Sequence, residues 1–296
     1  EHYWRPGLPK ADKLIYRVFV DRNIGILNLQ SGEIDILNAI PARNVDALRK
    51  DQSVRLVIEP SLGYQGIWLN VTKPPFDNLF LRKALEAATD RDVLIRAALN
   101  GLAVPSYGPF PPASPVNDGG SPPERDLARA REYLKRAGYP NGFSFTLSIT
   151  PDPAGQLVAQ VLQNMWAEAG IRAQIEQVEW GQLLDKMDKL TYQATPVGWS
   201  GRAEPDQNIY AFFYTNGGFN NSGYSNPTVD QLLDQSRLAG NLADRKRIYH
   251  DVLTVLRDEL PYIYLYHPNV VIALRRDVQG FTYIPDGLIR LAPVTK

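Results

Sequence analysis

The sequence predicts an α/β protein with parallel strand pairing, and three observations support this. Residues 143–149, FSFTLSI, alternate apolar and polar side chains, as a half-buried strand does. A run with apolar residues at helical spacing follows and ends at Gly170, after which IRAQIEQV resumes the alternation. A strand, a helix and a strand at this spacing form a right-handed βαβ unit, so the two strands are expected to be parallel.

The first 70 residues contain four predicted strands. KLIYRVFV (13–20) is rich in β-branched and aromatic residues, and a short helix, a Ser-Gly turn and a second strand follow it. RLVIEP (55–60) and GIWLN (66–70) are the third and fourth strands. The prolines of PPF at 74–76 then break the pattern, and Asp77 is expected to cap a helix. A domain boundary is therefore expected near residue 72.

Helices and one long irregular connection occupy the middle of the chain. The helix after Asp77 is followed by a second that starts at Asp90. Residues 104–123 are rich in proline and glycine and are expected to lack regular secondary structure. Ser121 with Glu124 has the spacing of a capping box, which predicts that the next helix begins there.

The C-terminal part alternates strands and helices again. A helix over roughly 180–190 leads to the short strand QATPVGW, and Asn226-Pro227 starts another helix. Ala243 to Leu260 forms a further helix, which Pro261 ends. YIYLY (262–266) and VVIAL (270–274) are predicted as two final strands that return to the first sheet.

Composition excludes several classes of function. The 32 basic and 32 acidic side chains cancel, so no global field recruits nucleic acid, and nucleic acid is not expected as a partner. The absence of cysteine excludes disulfides, thiol catalysis and zinc–thiolate sites. The three histidines have no metal-ligand spacing, and no nucleotide-binding or hydrolase motif is present. We therefore expect no metal and no organic cofactor.

The segment GWSGRAEPDQNIYAFF (198–213) is the best candidate for a functional site. It follows a predicted strand, and ligands of open α/β sheets bind outside the carboxyl ends of strands. Arg202 either holds a ligand or forms an internal salt bridge to Glu204 or Asp206. Asp206 is expected to form a turn or cap a helix, and Trp199 either packs in the core or lies beside the ligand.

Five motifs in order carry a family resemblance. They are LQSGEIDI (29–36), LNVTKPPFDNLFLRKALEAATDRDVLI (69–95), the A-x-x-Y-L-x-x-A-G-Y pattern ending at Tyr139, the segment at 198–213, and GYSNPTVDQLL (223–233). Together they resemble the C-terminal portion of the extracytoplasmic solute-binding proteins of peptide-type ABC importers, a group that contains dipeptide, oligopeptide, glutathione and nickel binders. Members are longer, so the chain is expected to be a fragment.

The resemblance implies a two-lobed periplasmic-binding-protein-like fold that closes on its ligand about a hinge. Residues 1–72 and 262–296 would form a discontinuous lobe I, and 73–261 an inserted lobe III. It also implies a monomer in the periplasm or another extracytoplasmic location. Tyr64 and Trp68 lie near the expected crossing between lobes, where aromatic residues commonly line a cleft, and are expected to contact the ligand.

One departure from the family bears on the ligand. Dipeptide-binding relatives place an aspartate three residues after the motif tryptophan, where it receives the ligand ammonium, and this sequence has Arg202 there. A guanidinium repels an ammonium and can hold a carboxylate bidentately. The segment is closer to the glutathione-type variant, in which Glu204 occupies the acidic position. The resemblance therefore implies Trp199, Arg202 and Glu204 as ligand-binding residues.

The sequence leaves three classes of function open. The first is the substrate-binding component of an ABC importer, which captures a small peptide or similar polar solute, anionic solutes included, and delivers it to a membrane permease without catalysis. The second is an acid–base hydrolase with Glu204 and Asp206 as paired carboxylates. The third is a ligand-sensing domain of a regulator.

Overall fold

The computed structural model describes residues 3–296, which form two compact units. The first unit consists of the chain up to Ser61 together with Asn269–Lys296, and the second is Leu62–Pro268. Ten α-helices and eight strands are found in the described residues. No helix among them is long and apolar enough to cross a membrane.

The first unit is built on a small antiparallel sheet. Strands β1 (Ile36–Leu37) and β2 (Val54–Pro60) pair with the second half of β8 (Tyr262–Arg275), on its two sides. Helix α1 (Arg22–Ser31) precedes β1, and helix α2 (Val45–Lys50) lies between β1 and β2 along the chain. Ile272, Leu274 and Val278 form one buried apolar cluster of this unit.

The predicted first strand, residues 13–20, is wrong. The segment has no regular secondary structure, and Val18 and Val20 are 93% and 99% exposed. β-Branched composition favours a strand only where a neighbouring backbone completes the ladder and a packed face buries the side chains. Among residues 3–296 no strand pairs with this segment.

The second unit contains a mixed sheet that confirms the predicted α/β fold. Its strand order is β8 (first half), β3 (Gln65–Leu69), β7 (Ala194–Thr195), β5 (Phe143–Ile149) and β6 (Ile171–Gln177). β5 and β6 are parallel, as the alternation predicted, and α6 (Pro153–Ala167) connects them. The short β4 (Ala103–Pro105) pairs with β8.

Helices complete the second unit. They are α3 (Leu79–Ala87), α4 (Arg91–Leu99), α5 (Leu127–Arg136), α7 (Trp180–Asp188), α8 (Tyr210–Phe213), α9 (Pro227–Leu238) and α10 (Leu242–Glu259).

Helix starts follow side-chain capping, with two corrections. Asp90 and Asn226 cap α4 and α9 as predicted. Asn78, and not Asp77, caps α3 by accepting a hydrogen bond from the Phe80 amide. The capping box at Ser121 is not formed, because α5 begins at Leu127 with Asp126 as its cap. The Asp126 amide also donates to the Ala87 carbonyl at 2.8 Å, which fixes this start against the end of α3.

The final strands and the expected boundaries also differ from prediction. The two predicted strands are one continuous strand, β8, and its residues 262–266 pair with β3 in the sheet that contains residues 143–149. Only the part from Asn269 pairs with β2. The chain therefore passes from one unit to the other at 61/62 and 268/269, and not near 72 and 261, because β3 pairs with both β7 and β8.

Candidate functional site

The candidate site is built on the loop that follows β7, residues 196–209, here called the site loop. A two-way backbone pairing attaches it to the chain before β3: the Tyr64 amide donates to the Trp199 carbonyl at 3.0 Å, and the Trp199 amide donates to the Tyr64 carbonyl at 2.9 Å. Gly201 has φ 76°, and a Cβ there would lie 2.1 Å from the Leu62 carbonyl oxygen. Only glycine fits this close approach.

Asn208 holds the site loop in shape from within. Its Oδ1 accepts from the Arg202 amide at 2.8 Å, and its Nδ2 donates to the Arg202 and Glu204 carbonyls at 2.8 and 3.3 Å. The side chain is 3% exposed, so these bonds are made away from water, where they contribute most to order. The loop is therefore a rigid element.

The two carboxylates of the site loop are each occupied by an arginine from a distant helix. Glu204 pairs with Arg245 on α10, and this bond holds the Glu204 pKa below its usual range. Asp206 pairs with Arg237 on α9 through two bonds of 2.9 Å. Glu204, and not Asp206, caps the short helix Pro205–Asn208 by accepting from the Asp206 amide. The expected turn-forming or capping role of Asp206 is thus replaced by an ion pair.

Arg202 does not form the internal salt bridge that was the alternative to ligand binding. No carboxylate in residues 3–296 is paired with it, and its side chain is exposed. The guanidinium carbon lies 4.5 Å from the centre of the Trp199 ring. Nη1 donates to Ser200 Oγ at 2.8 Å and to the Gly201 carbonyl at 2.6 Å, whereas Nε and Nη2 have no protein acceptor in the described residues.

Trp199 forms an aromatic wall beside this guanidinium. Its ring contacts Phe212 edge-on at 5.1 Å and Phe219 at 5.7 Å between centroids, and Phe219 is 49% exposed. Within residues 3–296 nothing accepts a hydrogen bond from the buried Trp199 Nε1. The half-buried indole and the guanidinium together offer a flat apolar face and a positive charge without a carboxylate partner in the described residues.

Tyr64 and Trp68, expected to line a cleft, are core residues. Tyr64 is 1% exposed and donates from its hydroxyl to the Asn208 carbonyl at 3.2 Å, and burial raises its pKa above the usual range. Trp68 is 3% exposed, stacks on Phe213 and meets Tyr262 edge-on at 4.7 Å. Neither side chain is open to a ligand, although Tyr64 stabilises the site loop through its hydrogen bond to Asn208.

Several supporting residues were missed from the sequence. Arg237 and Arg245 carry no local signal, because 31 and 41 residues separate them from their partners in the site loop. Asn208 lies within the segment at 198–213. Asparagine side chains commonly form hydrogen bonds with backbone groups of their own loop, so this residue type was the available signal. No group of three or more metal-ligating side chains that could hold a metal occurs in the part of the chain that the structure describes.

Comparison with known proteins gives consistent results. The family model described as bacterial extracellular solute-binding proteins, family 5 Middle, matches residues 1–221. The chain is 35% identical over 297 residues to the glutathione-binding protein GsiB of Pectobacterium atrosepticum, which covers 97% of this chain and 58% of that protein. The chain thus spans a little over half the length of this relative.

Two solved structures share the fold. The periplasmic binding protein DppA from Helicobacter pylori, in complex with the peptide STSA, superposes with a TM-score of 0.86 and 27% identity, covering 94% of this chain and 56% of that chain. The oligopeptide-binding protein AppA from Bacillus subtilis, in complex with a nonapeptide, gives a TM-score of 0.81 and 26% identity, covering 91% and 57%.

Proposed function

The chain belongs to the bacterial extracellular solute-binding proteins of family 5, and from this premise we propose that it is part of the substrate-binding component of an ABC importer. Its solute would be a small peptide or similar polar molecule with a carboxylate, delivered to a membrane permease. The family also confirms the extracytoplasmic location that the resemblance implied. Closure of two lobes about a hinge stays a prediction.

The Arg202 guanidinium pairs with no carboxylate in residues 3–296, and this observation carries the ligand proposal. The arginines that pair with Glu204 and Asp206 remove the internal partners that Arg202 would otherwise have. Nε and Nη2, which have no acceptor in the described residues, form one edge of the guanidinium, and this edge can bind a carboxylate bidentately. Trp199 restricts the guanidinium from one side, so the charge is held in place before a ligand arrives.

Glutathione is the first solute to test. It is a tripeptide with two carboxylates, and the GsiB relatives are named as glutathione-binding proteins. The relatives' ligand comes to this chain only as a proposal, which the unpaired Arg202 supports.

We also propose that the protein catalyses no reaction. An acid–base hydrolase needs one carboxylic acid kept protonated near neutral pH beside a second carboxylate. Arg245 instead lowers the pKa of Glu204, and Arg237 occupies both oxygens of Asp206. These two carboxylates stabilise the site loop and do not form a catalytic pair.

Replacement of Arg202 by alanine is expected to weaken glutathione binding by about 1.5–3 kcal/mol, roughly 10- to 150-fold in Kd, because a hydrogen bond to a charged group contributes this much. Titration calorimetry of the native protein with glutathione measures this change in Kd. Arg247→Ala is the matched control, because this exposed arginine on α10 pairs with Asp244 one turn away.

A second titration identifies the group that Arg202 binds. A C-terminally amidated peptide lacks the carboxylate, so Arg202→Ala should change its affinity little. If the wild-type protein binds neither glutathione nor a panel of di- and tripeptides, the ligand proposal is wrong. If Arg202→Ala keeps full affinity and instead lowers the melting temperature, the arginine braces the loop.

A further inference from the structure

His267 is a buried histidine that makes two hydrogen bonds near the point where β8 leaves the second unit. It is 5% exposed and precedes Pro268, the last residue of that unit. Nδ1 lies 2.8 Å from the Gly63 carbonyl oxygen, and Nε2 lies 3.0 Å from Ser106 Oγ. The imidazole therefore ties β8 to the segment before β3 and to the end of β4.

Gly63 is the residue on which the site loop rests. A Cβ at Gly63 would lie 2.9 Å from the Trp199 carbonyl oxygen, and the next residue, Tyr64, makes the two-way backbone pairing with Trp199. Gly201 packs still more closely against Leu62, the residue before Gly63, because a Cβ at Gly201 would lie 2.1 Å from the Leu62 carbonyl oxygen. Any rotation of the Gly63 peptide would therefore displace the backbone that carries Trp199 and Arg202.

The acceptors around His267 determine which ring nitrogen carries the hydrogen. A carbonyl oxygen accepts, so Nδ1 carries a hydrogen and donates to Gly63. Ser106 has one hydroxyl hydrogen and two acceptors in reach, the Gly108 carbonyl at 2.7 Å and His267 Nε2 at 3.0 Å. The bond from Nδ1 to Gly63 is thus present in either protonation state, whereas the bond to Ser106 competes with Gly108.

We propose that His267 is a positioning residue for the candidate site, whose Nδ1–H fixes the Gly63 peptide and through it the site loop. The proposal rests on the proposed function, because it concerns the same loop. No part of it requires His267 to touch the solute.

Several charged or titratable groups lie around His267. His267 and Ser106 line a cavity of about 490 Å³ in the second unit, and the charged or titratable groups that share its wall are Asp92, Tyr107, Asp118 and Arg257. Asp118 and Arg257 bond each other through both oxygens. Arg91 donates a hydrogen bond to the carbonyl of Ser106, whose hydroxyl faces His267. Tyr264 and Tyr266 are titratable residues that precede His267 on β8.

The pH dependence of stability gives an independent check on the buried imidazole. Burial lowers the pKa of His267 below the ordinary 6.5, so the unfolded chain binds the proton more readily than the folded one. The contribution of His267 is fully present above about pH 6.5 and is lost as the pH falls toward the lower folded-state pKa. Wild-type protein should therefore lose more stability between about pH 7.5 and 5 than His267→Asn, measured by urea unfolding.

The direct test is amide hydrogen exchange of the 296-residue chain without ligand. His267→Ala should lower the protection of the Tyr64 and Trp199 amides by about tenfold, because the Gly63 carbonyl loses the hydrogen bond from His267 Nδ1. His267→Asn, whose Nδ2 can replace Nδ1, should keep that protection. His267→Gln, whose amide reaches instead to the position of Nε2, should not. The ladder of β5 and β6 serves as the internal reference.

The hydrogen-exchange results test the role of His267 even if the proposed solute is wrong. Protection kept in His267→Asn and lost in His267→Gln supports the inference, even if His267→Ala destabilises the whole unit. Equal protection in all three variants, or equal loss in His267→Asn and His267→Gln, overturns it. Glutathione titration of the same variants is a second readout: if wild type binds and His267→Ala binds equally well, the inference is wrong, whereas absence of binding to wild type counts only against the proposed solute.

Discussion

Arg91→Ala is expected to destabilise the second unit by about 3–5 kcal/mol, the range for breaking a buried ion pair from one side. The side chains of Arg91 and Glu86 are 3% and 8% exposed. Arg91 Nη2 donates to both Glu86 oxygens at 2.8 and 2.9 Å, and Nε donates to the Ser106 and Tyr264 carbonyls at 3.2 and 2.8 Å. Alanine would leave a buried carboxylate and two buried carbonyls without their donor.

Thermal or urea unfolding measures this loss, and Lys189→Ala is the control. Lys189 pairs with Asp185 on the surface of the same unit, with side chains 66% and 60% exposed, so its removal should cost no more than about 0.5 kcal/mol. Replacing Arg91 and Glu86 together by Met and Leu should cost less than Arg91→Ala alone, because no charge is then buried unpaired. A loss below about 1 kcal/mol for Arg91→Ala would contradict the argument.

The Arg91 pair also connects the fold to the candidate site. Arg91 holds the Ser106 carbonyl, and the Ser106 hydroxyl faces His267, which in turn bonds the carbonyl of Gly63. A structural ion pair on α4 thereby supports the segment on which the site loop rests. We expect Arg91 substitutions to lower protection of the Tyr64 amide as well as overall stability.

Local patterns in the sequence were sufficient where neighbouring residues decide the structure. The alternation at 143–149 predicted β5 and its parallel pairing with β6, and the caps Asp90 and Asn226 were identified from the residues that follow them. Local patterns were insufficient where residues distant in sequence determine the structure. Residues 13–20 have strand composition but no pairing partner, and a single strand, β8, serves two sheets, which no local pattern reveals.

The candidate site shows the same division. The segment at 198–213 was singled out because a large aromatic residue and three charges occur together in a loop. Whether Arg202 was paired depended on Arg237 and Arg245, which reach the loop from other helices. Tyr64 and Trp68 were expected at a cleft because aromatic residues suit both cores and ligand sites, and only their packing against Tyr262 and neighbouring rings distinguishes the two.

The second large effect is expected at Gly201, where the backbone of the site loop meets the backbone before β3. Its φ of 76° costs a residue with a Cβ about 1–2 kcal/mol. The added Cβ would also lie 2.1 Å from the oxygen and 2.2 Å from the carbon of the Leu62 carbonyl, and these are backbone atoms that cannot rotate away. Overpacking of this kind typically costs a further 1–3 kcal/mol, so Gly201→Ala should cost about 2–5 kcal/mol in total.

The site loop can release this strain only by separating from residues 62–64, so Gly201→Ala should abolish protection of the Tyr64 and Trp199 amides and remove solute binding together. Gly218→Ala is the matched control: it lies in the nearby turn before Phe219, its φ is not positive, and a Cβ there meets no atom within 4 Å. Hydrogen exchange, urea unfolding and glutathione titration of both variants measure the difference. If Gly201→Ala keeps wild-type protection at Tyr64 and Trp199, the close backbone approach does not hold the loop, and the rigid, preorganised site argued for Arg202 would have to be abandoned.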